Sequence, residues 1–267
     1  MKTFVSDIQP FRMCGNLYFI GSTMVSVHLI ETDEGLVLID TGYPEMYEQI
    51  LNSMDYLGFD PKDICAIIHS HGHIDHFGCT LRLKELCGAK TYISRIDNEI
   101  TNGTLDLSWA VELGYEREKP FDCDVLIDDG DILKFGRTKI RCKLTPGHTD
   151  GTLSFFVNIE EDGKSYIAAM QGGMGTNTMT NKFLDAYGLS YDNRKIFLEG
   201  LSALMDEKVD VVMGNHPQPT HTDEKLQKVL NGESIVSPDE WRRFLERNKR
   251  LAADFFEKEE KAKMEEK

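Results

Sequence analysis

Four of the eight histidines of this 267-residue chain lie within the eight positions His69–His76. In an extended segment, side chains two residues apart point the same way, so His71 and His73 can bind one metal ion together. Asp75 and His76 are adjacent and suit a second ion beside the first. Imidazole nitrogens with a carboxylate are the ligands expected for zinc. The segment therefore predicts a metal site, and a solvated polar loop is the disfavoured alternative because such clustering seldom arises by chance.

Two further histidines lie far away in the sequence, each in a turn of glycine and proline. His148 lies in Thr145-Pro146-Gly147-His148-Thr149, and His216 lies in Gly214-Asn215-His216-Pro217. Each turn follows a predicted strand, and in layered α/β proteins sites form where strands end. A lone histidine in such a loop often has no function, but three loops placed alike indicate one shared site.

The elements that must position these loops alternate between strand and helix patterns. Strands are predicted at Asn16–Ile20, Met24–Thr32, Leu36–Asp40, Ile64–Ile68, Lys90–Ser94, Val125–Ile127, Ile132–Phe135, Lys139–Leu144, Leu153–Ile159, Ser165–Met170 and Val209–Met213. Helices are predicted at Pro44–Leu57, Thr80–Cys87, Asp192–Met205 and Asp223–Leu230.

The two halves of the chain repeat this order with no Pro/Gly/Ser linker between them. We therefore expect one domain over residues 1–267, with two sheets face to face and helices outside. A last helix is predicted over residues 237–267, with Ser237 as N-cap, Pro238 in the first turn and a frayed charged end from Lys258. Residues 95–120 are polar and only partly helical by pattern.

Composition excludes several classes of function. With 45 acidic and 30 basic residues, the formal net charge is -15, which disfavours nucleic acid as a partner. No run of about 18 apolar residues exists, so we expect no membrane span. The six cysteines show no CxxC pairing and no signal peptide is evident, which predicts reduced thiols and a cytoplasmic protein.

The motifs together resemble the series found in the metallo-β-lactamase superfamily. They are HxHxDH at 71–76, Leu38-Ile39-Asp40-Thr41-Gly42, TPGHT at 145–149 and GNHP at 214–217. The order and spacing hold from about Asn16 to Leu230. The resemblance implies an α+β fold, a four-layer αββα sandwich in which two mixed sheets lie face to face with helices on both outer sides.

The resemblance also implies a metal centre with two ions per chain, zinc in the first place, with iron or manganese as alternatives. The first ion would be bound by His71, His73 and His148. The second would be bound by Asp75, His76 and His216, with Asp75 also orienting the attacking hydroxide as the catalytic residue. Behind these ligands, Asp40 would support the ligand loops, and His69 is a second candidate for such support.

One departure from the wider family lies between Ile167 and Gly175. Many branches carry an aspartate there that bridges the two metals, but this stretch has no acidic residue. The third subclass of metallo-β-lactamases also lacks the bridge and uses the same five histidines and one aspartate. Its serines that hold the substrate carboxylate are replaced here by Gly172, Gly173 and Met174. Candidate substrate contacts are instead Thr176, Thr178 and His221, of which His221 is also a rival to His216 as a ligand.

The resulting prediction is hydrolysis of an amide, lactam, lactone or ester bond in a small molecule. A phosphodiesterase or nuclease of the same fold is the second enzymatic candidate. A non-catalytic metal-binding protein is the alternative outside enzymes, since a fold can keep its ligands and lose its chemistry. The redox branches of the fold are disfavoured, because they use a glutamate at the position of His73 or the missing aspartate. The oligomeric state is left open.

Overall fold

Two β-sheets form the centre of the molecule in a computed structural model that describes residues 8–265. The strands are β1 Phe11–Cys14, β2 Leu17–Phe19, β3 His28–Thr32, β4 Gly35–Ile39, β5 Ile64–Ile68, β6 Lys90–Ser94, β7 Val125–Ile127, β8 Ile132–Phe135, β9 Thr138–Leu144, β10 Leu153–Glu161, β11 Lys164–Gln171 and β12 Val211–Gly214. The helices are α1 Tyr47–Leu57, α2 Ile74–Phe77, α3 Thr80–Cys87, α4 Asn98–Thr101, α5 Asn181–Tyr187, α6 Asp192–Leu204, α7 Thr222–Leu230 and α8 Glu240–Glu265.

The first sheet contains β1 to β7 in sequence order, and the second has the order β12-β11-β10-β9-β8. Both are mixed, because β4 to β7 are parallel in the first sheet and β11 pairs parallel with β12 in the second. Side chains alternate between the two faces of each strand. Val37 and Ile39 of β4 therefore pack into the core between the sheets, together with Phe155 and Val157 of β10.

Helices cover the outer face of each sheet. Leu38 of β4 packs against Ile50 and Met54 of α1, in a cluster that α3 completes. On the opposite side, Phe156 of β10 packs against α6 and α8, where Trp241 is fully buried and donates its indole N–H to the carbonyl of Leu204. The predicted αββα sandwich is confirmed by this order of layers.

Several element boundaries differ from the sequence predictions. The predicted strand Met24–Thr32 is only the shorter β3, because residues 20–27 form a tight loop closed by bonds from Ile20 N to Val27 O and from Ser22 N to Val25 O. Three elements, β1, α2 and α5, were not predicted at all. The segment 95–120 contains one short helix, α4, among turns.

The C-terminal helix also differs from its prediction at both ends. Ser237 is not the N-cap, since α8 begins at Glu240. Fraying from Lys258 is wrong as far as Glu265: the helix is continuous to that residue, and Lys263 contacts Asp185 and the hydroxyl of Tyr191. Residues 266 and 267 lie outside the described part of the chain. None of the helices within residues 8–265 has the length and apolar composition needed to cross a membrane.

The strand directions decide where the loops meet. Strands β4, β5 and β6 are mutually parallel, so their carboxyl ends share one edge of the first sheet. In the second sheet β9, β11 and β12 run in one direction, because β10 is antiparallel to both of its neighbours and β12 is parallel to β11. A direct bond from Leu153 N to Ser70 O, 2.8 Å long, joins the two sheets at this edge.

Candidate metal centre

The histidine-rich loop follows β5 and changes conformation halfway along. His71 and Gly72 belong to a turn, His73 is extended and precedes α2, and Asp75 and His76 lie within that helix. The sequence indicated only a loop after β5, so the helical conformation of Asp75 and His76 was not predicted. The helical turn brings His76 back toward His71, and their ring centroids are 4.1 Å apart.

The structure brings together the three histidines predicted for the first ion. The rings of His71 and His73 are 4.6 Å apart between centroids, and each is within 4.7 Å of the ring of His148. His71 Nε2 and His73 Nδ1 approach to 3.1 Å. One nitrogen of each residue lies within 4.8 Å of the others, which is the spacing of ligands around one ion.

The residues predicted for the second ion converge on the carboxylate of Asp75. Its Oδ2 lies 3.4 Å from His76 Nε2 and 3.6 Å from His216 Nε2. His71 also belongs to this group by distance, since it meets the same 4.8 Å spacing with Asp75 and His76. His71 therefore lies between the two groups, and the six side chains form one continuous cluster.

Hydrogen bonds on the outer side of the rings fix which nitrogen faces the centre of the cluster. The Nδ1 atoms of three histidines donate outward: His76 to Asp40 Oδ2 at 2.8 Å, His148 to the carbonyl of Gly175 at 2.8 Å, and His216 to the carbonyl of Met24 at 2.7 Å. In the neutral form of each ring, the lone pair is therefore on Nε2.

In His71, the hydroxyl group of Ser70 fixes the proton on Nδ1. Ser70 Oγ donates to Asp40 Oδ2 at 2.8 Å and lies 3.0 Å from His71 Nδ1. Because that hydroxyl proton is already used, the Nδ1 of His71 must donate and its Nε2 carries the lone pair. Such outer partners are what orients histidines that bind metals.

Two buried atoms at the centre of the cluster lack any hydrogen-bond partner within residues 8–265: Asp75 Oδ1 and His76 Nε2. An unsatisfied buried polar atom costs about 1–3 kcal/mol, so such atoms call for a ligand. Nitrogen lone pairs and a carboxylate oxygen are the donor set of a zinc site, and the residues present therefore fit the metal.

The pKa of His76 is shifted in the opposite direction from the pKa values of His71, His73 and His148. Burial, and then the neighbouring histidines, hold the pKa values of His71 and His73 well below the usual range, and burial lowers that of His148 to about 4. Burial also disfavours charge on His76, but Asp75 and Asp40 outweigh it and raise its pKa to about 10. Burial acts against the ionised Asp75, yet the histidines around it bring the pKa of its carboxyl below the usual range.

Asp40 lies behind the ligands, where the resemblance implied it. Its Oδ1 accepts from Ser70 N at 2.7 Å, and its Oδ2 accepts from Ser70 Oγ and His76. Asp40 itself has a φ of 62°, a conformation that few residues other than glycine adopt and that marks functional sites. His69 is buried one layer further away, with its Nε2 3.2 Å from Thr80 Oγ1.

Asp97, at the end of β6, was not singled out from the sequence. Its buried carboxylate accepts from Gly72 N at 2.8 Å, from Thr149 Oγ1 at 2.7 Å and from Gly151 N at 2.8 Å. It thus joins the loop of His71 and His73 to the loop of His148. Burial raises the pKa of Asp97 to about 6, against the opposing effect of the three hydrogen bonds.

Of the three predicted substrate contacts, only Thr178 lines a groove beside the cluster. Its hydroxyl already donates to the carbonyl of His148 at 2.8 Å. Thr176 begins a short 3₁₀ turn and does not line that groove. The structure does not bring His221 to the cluster: its exposed ring faces Arg247 and Glu224 on a different surface.

The end of β11 leaves no space for a side chain at two glycines of the stretch that lacks an acidic residue. A Cβ atom on Gly172 would lie 1.9 Å from the carbonyl oxygen of Leu153, and one on Gly173 would lie 2.7 Å from the His148 ring. The backbone there packs directly against the ligand loops. No side chain, and therefore no carboxylate, fits at either position without a shift of the backbone or of His148.

A model of the metallo-beta-lactamase superfamily matches residues 20–162, which is more than half of the chain. The chain belongs to this superfamily. Its structure is similar to that of BJP-1, a subclass B3 metallo-beta-lactamase of Bradyrhizobium japonicum, with a TM-score of 0.83 over 98% of each chain at 21% identity. At that identity the similarity shows the fold, and it agrees with the resemblance to the third subclass.

Two curated relatives carry names that state an activity. A hydroxyacylglutathione hydrolase of Buchnera aphidicola is 28% identical over 57% of this chain and 49% of its own length. An N-acyl homoserine lactonase of Bacillus thuringiensis is 24% identical over 51% of this chain and 59% of its own length. The chain spans about half the length of the curated relatives it matches.

Proposed function

We propose that this protein is a dinuclear zinc hydrolase that cleaves a lactone, ester, thioester or amide bond of a small molecule. One observation carries the proposal: the partnerless Asp75 Oδ1 and His76 Nε2 lie in a cluster with inward-facing lone pairs, which outward hydrogen bonds fix for His71, His148 and His216. In this proposal His71, His73 and His148 hold one ion. The other ion is held by Asp75, His76 and His216.

Two zinc ions bound there would polarise the scissile carbonyl and lower the pKa of the attacking water. Asp75 is the proposed catalytic residue, because the carboxylate oxygen that does not hold the ion would accept a hydrogen bond from that water and orient it toward the carbonyl. Asp40 keeps the proton of His76 on Nδ1, so that Nε2 stays available. Ser70 does the same for His71. No serine or cysteine nucleophile is needed.

The names of the two curated relatives support acyl chemistry, since one is a thioester hydrolase and the other a lactonase. Phosphodiester cleavage is the weaker candidate. It requires an in-line clamp on an anionic centre, whereas this site has no bridging carboxylate and the chain has a net charge of -15.

The metal content tests the dinuclear assignment. We expect about two zinc ions per chain in the purified protein, because six ligands of this kind suit a two-metal site. His71→Ala should lose most of both, since His71 lies within ligand distance of both groups. His221→Ala is the matched control and should retain the full content. A single zinc in the wild type, or unchanged content in His71→Ala, would show the assignment to be wrong.

Turnover tests the chemistry. We expect zinc-dependent hydrolysis of at least one lactone, lactam or p-nitrophenyl ester and little of bis(p-nitrophenyl) phosphate. Asp75→Asn should weaken the second ion and leave the water misoriented, so that kcat falls at least about 100-fold. Robust phosphodiester cleavage without acyl hydrolysis contradicts the proposal, and so does wild-type turnover in Asp75→Asn.

A further inference from the structure

A groove opens directly beside the metal cluster, next to His73 and His148. Most of its surface is apolar and comes from two separate parts of the chain. The segment after β6 contributes one wall, and the region of α5 contributes the other. The apolar side chains are Ile96, Ile100, Leu105, Leu107, Phe183 and Leu189.

The polar groups of the groove are already used by the protein. Thr149 donates its hydroxyl to Asp97, and Thr178 donates its own to the carbonyl of His148. The carboxylate of Asp97 is occupied by three hydrogen bonds. The remaining polar side chains, besides His73 and His148, are Asn193 and Asp150, and the amide of Asn193 donates to Asp150 at 3.5 Å.

The groove also lacks a positive charge. No lysine or arginine is among its lining residues, all of which lie in the described part of the chain, and the one exposed charge is the carboxylate of Asp150. An anionic group in the groove would meet that carboxylate with no cation to balance it, so the groove favours an uncharged occupant.

We propose that this groove binds the uncharged aliphatic acyl chain of the substrate whose carbonyl is cleaved at the metal cluster. This inference rests on the proposed function, because it assigns the tail of the same substrate. The groove has depth: Ile96 and Leu105 at its mouth are 41% and 39% exposed, whereas Ile100 and Phe183 below them are 6% and 8% exposed. A slender chain that reaches those inner residues is removed from water along its length.

The dependence of the rate on chain length tests this assignment. Each methylene removed from water contributes a roughly fourfold gain in binding. We therefore expect kcat/KM for p-nitrophenyl butanoate, hexanoate and octanoate to rise by up to about fourfold per methylene. A chain of octanoate length that ends in a carboxylate should lose most of this gain. A flat dependence on length overturns the inference even if all these esters are cleaved.

A pair of substitutions localises the effect. The double variant Ile96→Ser with Leu105→Ser changes two half-exposed residues at the mouth and should fold normally. It should flatten the length dependence, so that kcat/KM for the octanoate falls toward that for the butanoate. The matched control is Ile132→Ser with Leu230→Ser, at exposed apolar residues outside the groove, and it should keep the wild-type slope. Equal slopes in both double variants would contradict the inference.

Binding without turnover separates this inference from the proposed function. The neutral probe N-phenyl-1-naphthylamine should fluoresce on binding to wild type, and octanamide should displace it better than butanamide or octanoate does. The double variant at the mouth should lose this binding. Binding that behaves so in a protein with no acyl hydrolysis would uphold the groove and refute the hydrolase. Hydrolysis without chain-length dependence or probe displacement would uphold the hydrolase and refute the assignment of the groove.

Discussion

The carboxylate of Asp97 receives its hydrogen bonds from two loops that carry proposed ligands of the first ion. Gly72 lies between His71 and His73, and Thr149 follows His148 directly. Asp97 touches no ligand side chain, so its role is to hold the two loops at a fixed separation. Because three donors surround two oxygens, the position requires a group that only accepts hydrogen bonds.

Asp97→Asn should therefore weaken metal binding. The amide NH₂ would replace one acceptor and face a backbone or hydroxyl donor, which leaves at least one buried donor unpaired at about 1–3 kcal/mol. We expect zinc affinity, measured by competition with a chromogenic chelator, to fall about 10–100-fold. The control is Asp128→Asn, at an exposed carboxylate paired with Arg95. An unchanged affinity in Asp97→Asn would show that the three hydrogen bonds do not position the loops.

The proposed ligands can be recognised from the sequence alone, whereas Asp97 cannot. His71, His73, Asp75 and His76 lie close together, so their chemistry is evident from spacing alone. Asp97 contacts Gly72 across 25 residues and Thr149 across 52, and no local pattern in the sequence distinguishes it from aspartates at the surface. Its function depends on the tertiary fold. The same reason explains why the position of His221, away from the cluster, could not be predicted.

Most strands and helices were predictable from the sequence, whereas the conformation of the loop at residues 20–27 was not. Buried strands such as β5 and β6 follow from short runs of β-branched residues, and their bounds were predicted without error. Residues 20–27 have the same apolar character, since Val25 and Val27 are fully buried, yet they form a loop. Its conformation is needed for Met24 O to accept from His216, a constraint that apolar pattern does not contain.

The loop after β11 provides a test at this scale. Gly172→Ala places a Cβ atom 1.9 Å from the carbonyl oxygen of Leu153, and since that atom is backbone, the strand ends must move apart. We expect a loss of about 1–3 kcal/mol in the free energy of unfolding, measured with urea at fixed zinc concentration.

At a second glycine, Gly200, the same substitution is expected to raise the free energy of unfolding. Gly200 lies within α6, and a Cβ atom there would meet nothing closer than 3.9 Å. Gly200→Ala should stabilise the protein by about 0.5–1 kcal/mol, because alanine loses less conformational entropy in a helix. If Gly172→Ala leaves the free energy of unfolding unchanged or raises it, the close approach of Gly172 to Leu153 does not constrain the loop.

At the scale of the whole molecule, the six cysteines report on how the layers are packed. None of the six, which all lie in the described chain, forms a disulfide. Cys14, Cys79, Cys123 and Cys142 are buried, and burial is the first cause that raises the pKa of each of these thiols to about 12. Cys65 and Cys87 are half-buried, and burial raises their pKa values as well.

Thiol reactivity should therefore divide the cysteines into two sets. A thiol reacts as the thiolate, so a buried thiol of high pKa is protected both by access and by protonation. In the folded protein we expect Ellman's reagent to modify only Cys65 and Cys87, and slowly at neutral pH. Denaturation without reductant should release all six thiols. The double variant Cys65→Ser with Cys87→Ser should show no reaction while folded.

The outcome tests the layered core and the redox state together. Rapid modification of Cys142, which is fully buried between the two sheets, would mean that the sheets separate readily, contrary to the packing of β9 and β10. Fewer than six thiols in freshly isolated, denatured protein would reveal a disulfide and contradict the reduced state predicted from the scattered spacing. Removal of zinc should leave the reaction rates of Cys65 and Cys87 unchanged, because none of the proposed ligands is a cysteine. These two thiols also lie at the opposite end of the first sheet, near Gly35 and Lys90.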